Sequence, residues 1–97
     1  MRIITHKAIT NFCINYTDAQ IALEEWFIKT KNAEWTCFTD IKKTFNSVDN
    51  VGNQHYVFNI KGNSYRLVAI IHFQIKKVYI RFIGTHNEYE KIDCSKI

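Results

Sequence analysis

Tyr56-Val57-Phe58-Asn59-Ile60-Lys61-Gly62-Asn63-Ser64-Tyr65-Arg66-Leu67-Val68-Ala69-Ile70-Ile71-His72-Phe73 is the stretch that decides the fold. Its apolar residues recur with a period of two, the mark of a strand with one face on a core. From Gln54 onward, Tyr56, Phe58 and Ile60 alternate with Val57 and Asn59. Gly62-Asn63 supplies the permissive backbone of a tight hairpin turn. Beyond the turn, Tyr65, Leu67, Ala69, Ile71 and Phe73 form one face, and Arg66, Val68, Ile70 and His72 form the other. Gln74-Ile75-Lys76-Lys77 reads as a second turn. A third strand over residues 78–83 places Val78, Ile80 and Phe82 opposite Tyr79, Arg81 and Ile83. Three strands joined by short turns predict an antiparallel meander.

Upstream the period lengthens. Ala8, Ile9, Phe12, Cys13 and Tyr16 fall on one helical face, and Ala19, Ala22, Leu23, Trp26, Phe27 and Thr30 form a second stripe. Asp18 is the expected N-cap of that second helix. Glu25 and Lys29 sit at the supportive i, i+4 spacing. A third, shorter helix is expected over residues 38–45, with Ile41 inward. Residues 2–5 are short and β-branched and suit an opening strand.

Downstream, Gly84 is expected to stop the strand. Thr85-His86-Asn87-Glu88 has the capping-box spacing and predicts a short helix over residues 86–92. His86 then falls in the first helical turn, where free amides attract anions. The predicted class is α+β: a curved antiparallel sheet, the C-terminal meander plus an N-terminal strand, with the N-terminal helices on one face. The other face is expected to be partly open. Arg66 and Arg81 share that face only if the strand register allows it.

The chain has 97 residues, enough for a single domain over 1–97. Its net charge of +4 favours an anionic partner, although solubility alone also accounts for such a charge. Cys13, Cys37 and Cys94 form no CxxC pair and suggest neither a disulfide framework nor a zinc set. No apolar run approaches membrane-spanning length, and the N-terminus lacks an apolar signal core, so a cytoplasmic location is expected.

The four histidines follow no metal-ligand spacing, no glycine-rich phosphate loop is present, and no acidic cluster suggests two-metal chemistry. No cofactor is expected. What remains is a basic and aromatic group: Asn59, Lys61, Arg66, Arg81, His86, Tyr89 and Lys91. It suits RNA cleavage without a metal, in which the ribose 2′-OH attacks the neighbouring phosphate. That reaction needs a base, an acid and cations for the developing charge. Arginine's planar fork matches phosphate, histidine titrates near neutrality, and a tyrosine stacks on a base or donates its hydroxyl. Lys76 and Lys77 read either as a solvated face or as a grip on ribosomal RNA backbone. Taken singly, each of these residues also has an ordinary structural reading.

Two segments resemble the HigB family of bacterial toxins. One is F-N-I-x-G-N-x-Y-R-L over residues 58–67; the other is I-R-F-x-G-T-H-x-E-Y-x-x-I over residues 80–92. Ala33-Glu34-Trp35 and Ser47-Val48-Asp49-Asn50-Val51-Gly52-Asn53 are similar too. The resemblance implies a RelE-like fold and a ribosome-dependent mRNA endonuclease acting in the A site. It also implies neutralisation by a cognate antitoxin with a helix-turn-helix domain. It carries over Asn59, Arg66, Arg81, His86 and Tyr89 as the working group. Arg66 and Arg81 would hold the phosphate, His86 would move a proton, and Tyr89 would stack or assist. Lys61 and Lys91 would add charge. Glu90 stands where the family pattern has Asp, and His55 is the one candidate for a phosphate contact before the first strand. Two other readings are a ParE-like inhibitor of DNA gyrase and an RNA-binding module without catalysis.

Overall fold

A computed structural model describes residues 1–97. The elements run β1 (Arg2–Ile4), α1 (Lys7–Asn15), a 3₁₀ turn (Thr17–Ala19), α2 (Gln20–Lys31) and α3 (Phe38–Thr44). They continue with β2 (Asp49–Gly52), β3 (His55–Ile60), β4 (Tyr65–His72), β5 (Lys77–Thr85) and α4 (His86–Glu90). The fold is α+β, as the alternating and helical periods require.

One sheet holds all five strands in the order β1-β5-β4-β3-β2. The meander is β3-β4-β5, antiparallel throughout. The opening strand joins it parallel to β5, not antiparallel. The strand β2 has no counterpart among the sequence expectations. Asp49-Asn50-Val51-Gly52 carries little apolar signal, and β2 exists because it pairs with β3 across the Asn53-Gln54 turn. Asn53 and Gln54 both take positive φ, at 52° and 61°.

The inner face of the sheet packs on α1, α2 and α3. Phe58 sits at its centre. Its ring meets Trp26 at 5.4 Å and Phe45 at 5.4 Å, both edge-on, and Trp35 at 6.5 Å, stacked. Ile9, Leu23, Ile41, Leu67 and Ile71 belong to the same buried cluster. The helical stripes therefore bury as expected, and Glu25 pairs with Lys29 at 2.8 Å.

Asp18 does not cap α2. It lies in the 3₁₀ turn, and Ala19 occupies the cap position. Its carboxylate instead accepts from Lys61 Nζ at 2.8 Å and from the Tyr65 hydroxyl at 2.6 Å. A long-range pair outcompetes the local cap because it ties the β3–β4 turn to the helical layer.

The alternation in β5 breaks at Arg81. Val68 faces Phe82 while Ala69 faces Ile80, so Arg81 is an extra residue without a partner. This β-bulge reverses the expected faces beyond it. Ile83, not Phe82, packs on the core with Val78 and Ile80. Nor does Gly84 end the strand, which runs through Thr85.

The outer face is more covered than expected. Val57 and Val68 belong to it, yet both are buried. The chain beyond α4 folds back to the β2–β3 turn and the start of β3. Asn53 Nδ2 donates to the Ser95 carbonyl at 3.0 Å, and His55 Nε2 lies 2.8 Å from the Ile97 oxygen. No helix is long and apolar enough to cross a membrane.

Candidate active site and nucleic-acid interface

Strand register places three residues in one row on the outer face. Asn59 faces Arg66, and Arg66 faces Gly84. The chain leaves this row directly into α4, whose start is fixed by the predicted capping box. Glu88 N–H donates to Thr85 Oγ1 at 3.2 Å, and Thr85 N–H donates to Glu88 Oε1 at 2.9 Å. These two bonds satisfy donors that would otherwise face an anion, so the amides of this short helix are partly spent. The helix ends at Glu90, two residues before the expected position.

The capping box sets the angular position of the next side chains. Tyr89 lies over Arg66, with the guanidinium 5.8 Å from the ring centroid. Arg66 is only 9 % exposed. Its Nη1 donates to the Asn63 carbonyl at 3.2 Å and the Tyr65 carbonyl at 3.3 Å. The stacked aromatic and the turn carbonyls together compensate the buried charge. Burial pushes the Tyr89 hydroxyl up to about 12, and its bond to Cys94 Sγ at 3.4 Å and the nearby Asp49 add to the shift. Arg66 opposes it. Tyr89 is therefore a phenol at neutral pH: a hydrogen-bond donor, not a base.

His86 is half-exposed at the helix start, and its Nε2 sits 2.8 Å from Glu90 Oε1 one turn on. Glu90 thus stands beside the imidazole as an exposed acidic neighbour. In sequence, Glu90 stands out only as a departure from a motif. The i, i+4 spacing from His86 is the signal that points to this contact. Cys94, the sulfur partner of Tyr89, reads in sequence only as a structural thiol.

The two arginines differ in kind. Arg66 is buried and hydrogen-bonded, while Arg81 is exposed at the bulge. Lys91 is exposed just past α4. Lys61 is committed to Asp18 at the tip of the β3–β4 turn. Lys76 turns to the helical layer, with Nζ donating to the Trp35 carbonyl at 2.9 Å. Lys77 opens β5 opposite His72 instead of sitting in a turn. His72 lies six positions along β4 from Arg66, about 20 Å along the strand, so Lys76 and Lys77 lie apart from the α4 group. His55 is buried between the Asn53 carbonyl, at 2.7 Å from Nδ1, and the Ile97 oxygen. Both ring nitrogens are occupied, and no free one remains for a phosphate. No three His, Cys, Asp or Glu side chains converge as a metal-ligand set.

A mixed five-stranded sheet backed by N-terminal helices is the architecture of a RelE-like fold. Residues 19–92 match the family described as HigB_toxin, RelE-like toxic component of a toxin-antitoxin system. The mRNA interferase toxin HigB of Escherichia coli (strain K12) is 34 % identical over 92 residues, covering 93 % of this chain and 88 % of that protein. The mRNA interferase HigB of Shigella flexneri matches to the same extent. That of Escherichia coli O6:H1 is 27 % identical over 94 residues, covering 95 % and 91 %. The chain belongs to the HigB toxin family.

Proposed function

We propose that this chain is a ribosome-dependent mRNA interferase that cuts mRNA in the A site without a metal and so stops translation. The observation that carries this reading is the α4 group. One five-residue helix presents His86 beside Glu90 and Tyr89 over Arg66, directly after the strand that exposes Arg81.

In this mechanism the ribose 2′-OH gives up its proton and attacks the adjacent phosphorus. The bond to the 5′-oxygen breaks, and that oxygen takes a proton. The products are a 2′,3′-cyclic phosphate and a 5′-hydroxyl. His86 moves a proton in this exchange. Arg81 meets the phosphate, where a preorganised cation stabilises the charge that develops in the transition state. Arg66 acts through Tyr89: its buried guanidinium supports the ring that stacks on a base or donates its hydroxyl. Asn59 lies beside Arg66 and offers its amide to the RNA. Lys91 and Lys77 add phosphate contacts, while Lys61 and Lys76 contribute only field because each is already bonded. The proposed partners are mRNA in the ribosomal A site and the ribosomal RNA that surrounds it. A helix-turn-helix antitoxin is the proposed inhibitor, and the cytoplasm the place of action.

Primer extension on a defined mRNA in reconstituted translation tests this. Cuts at discrete codons that require ribosomes are expected. His86→Ala should slow them at least about 100-fold, the low end for positioned proton transfer, and Arg81→Ala should slow them too. Intact mRNA, or full-rate cutting by both folded variants, overturns the reading. Intact mRNA with blocked gyrase supercoiling would point to the ParE-like alternative.

A further inference from the structure

We propose a second nucleotide subsite at the opposite end of the outer face, a pocket that takes one unstacked RNA base. It rests on the RNA reading above, and the residues that line it lie outside the α4 group.

A cavity of about 540 Å³ opens there, lined by Gln54, His72, Phe73, Gln74, Ile75 and Tyr79. That volume falls within the range of small-ligand sites. Its walls come from three places that only tertiary pairing brings together: the β2–β3 turn, the end of β4 with the β4–β5 turn, and β5. The ring centroids of His72 and Tyr79 lie 5.7 Å apart and nearly perpendicular, at 76°. Both are half-buried, so each is fixed yet reachable. Gln54 is held by the Ile71 N–H, which donates to its carbonyl at 3.0 Å.

The chemistry of this lining is that of a base pocket. An aromatic face stacks on any base. The Gln54 and Gln74 amides each carry donors and an acceptor for base edges. A backbone phosphate needs cations nearby, and register supplies them: Arg2 faces Lys77, which faces His72, in one row across β1, β5 and β4. No carboxylate lines the cavity or stands in that row. The absence of negative charge suits an anionic ligand, and the aromatic and amide lining suits a nucleic-acid base better than an acidic side chain. Between this pocket and α4, the strand bears the exposed, unpartnered Arg81. β5 thus forms a track from His86 to Lys77, and an RNA strand lying along it reaches both ends.

Fluorescence anisotropy with labelled oligoribonucleotides of three and eight nucleotides tests the track. The longer one should bind wild type at least about ten-fold more tightly, the gain expected of one stacked base. Tyr79→Leu should abolish that difference, Tyr79→Phe should keep it, and neither should alter trimer binding. A wild type without length dependence, or a Tyr79→Leu variant that retains it, overturns the proposal. Primer extension separates this failure from failure of the nuclease reading, because wild-type cutting does not depend on the outcome for Tyr79. Binding to ribosomes with and without mRNA identifies the source of the base. Loss of Tyr79→Leu affinity for vacant ribosomes assigns it to ribosomal RNA, loss only on programmed ribosomes assigns it to mRNA, and no loss on either counts against the subsite.

Discussion

A side chain at Gly84 fits only if the Phe82 ring shifts. A Cβ there would collide with the Phe82 ring and stand 3.2 Å from the Glu88 carboxylate that closes the capping box. Gly84→Ala should therefore cost about 1–3 kcal/mol as an overpacking change, read by urea denaturation, and should slow mRNA cutting by disturbing the α4 start. Arg66 is constrained differently. Its planar fork serves two turn carbonyls and the Tyr89 ring at once. A lysine there is a point charge and cannot do all three. Arg66→Lys should lower stability by roughly 1 kcal/mol, and a thermal melt checks it. Unchanged stability would leave Arg66 as a contact residue only. The residue types of this site are legible in sequence, but which arginine is buried is not. Arg66 and Arg81 both sit in strand patterns, and only the bulge and the packing of α4 distinguish them.

The β3–β4 turn and the C-terminal segment are elements held by few bonds. The turn is tied down by Asp18, whose carboxyl Lys61 and then Tyr65 hold below the usual range, and whose bond pushes Tyr65 up to about 12. The signs follow from linkage. Asp18 is lowered in the folded state, so its contribution is present above an unfolded value of about 3.9 and fades as pH falls through the folded value. Tyr65 is raised, so its contribution is complete below an unfolded value of about 10 and is lost as pH rises toward 12. Asp18→Asn should return Tyr65 toward its ordinary range and leave Tyr89 near 12, because Tyr89 owes its shift first to burial. A tyrosinate absorbance titration counts the groups that remain high. Burial raises Tyr56 as well, so two groups should remain high in the variant, and three would mean that Asp18 does not govern Tyr65. The Asp18 tether is hidden in sequence because a local cap and a long-range partner carry the same residue signature.

For the whole molecule, stability centres on the aromatic cluster around Phe58. Phe58→Ala should cost about 3–5 kcal/mol, measured by denaturant unfolding, and a loss below about 1 kcal/mol would show that the cluster repacks around the gap. The period-two stretch with its Gly62-Asn63 turn, the helical stripes and the Thr85–Glu88 capping box were determined by sequence alone. Each is a local pattern whose physics lies within a few neighbouring residues. Membership of the HigB family was likewise written in the order of residues along β3, β4, β5 and α4. Tertiary structure decided the rest: the strand β2, the parallel seat of β1, the bulge at Arg81, and the return of the C-terminal residues to Asn53 and His55. It also decided which cations are free, since Lys61 and Lys76 are engaged by groups 43 and 41 residues away. Register, burial and long-range pairing depend on contacts between distant parts of the chain, and a one-dimensional pattern carries no record of them.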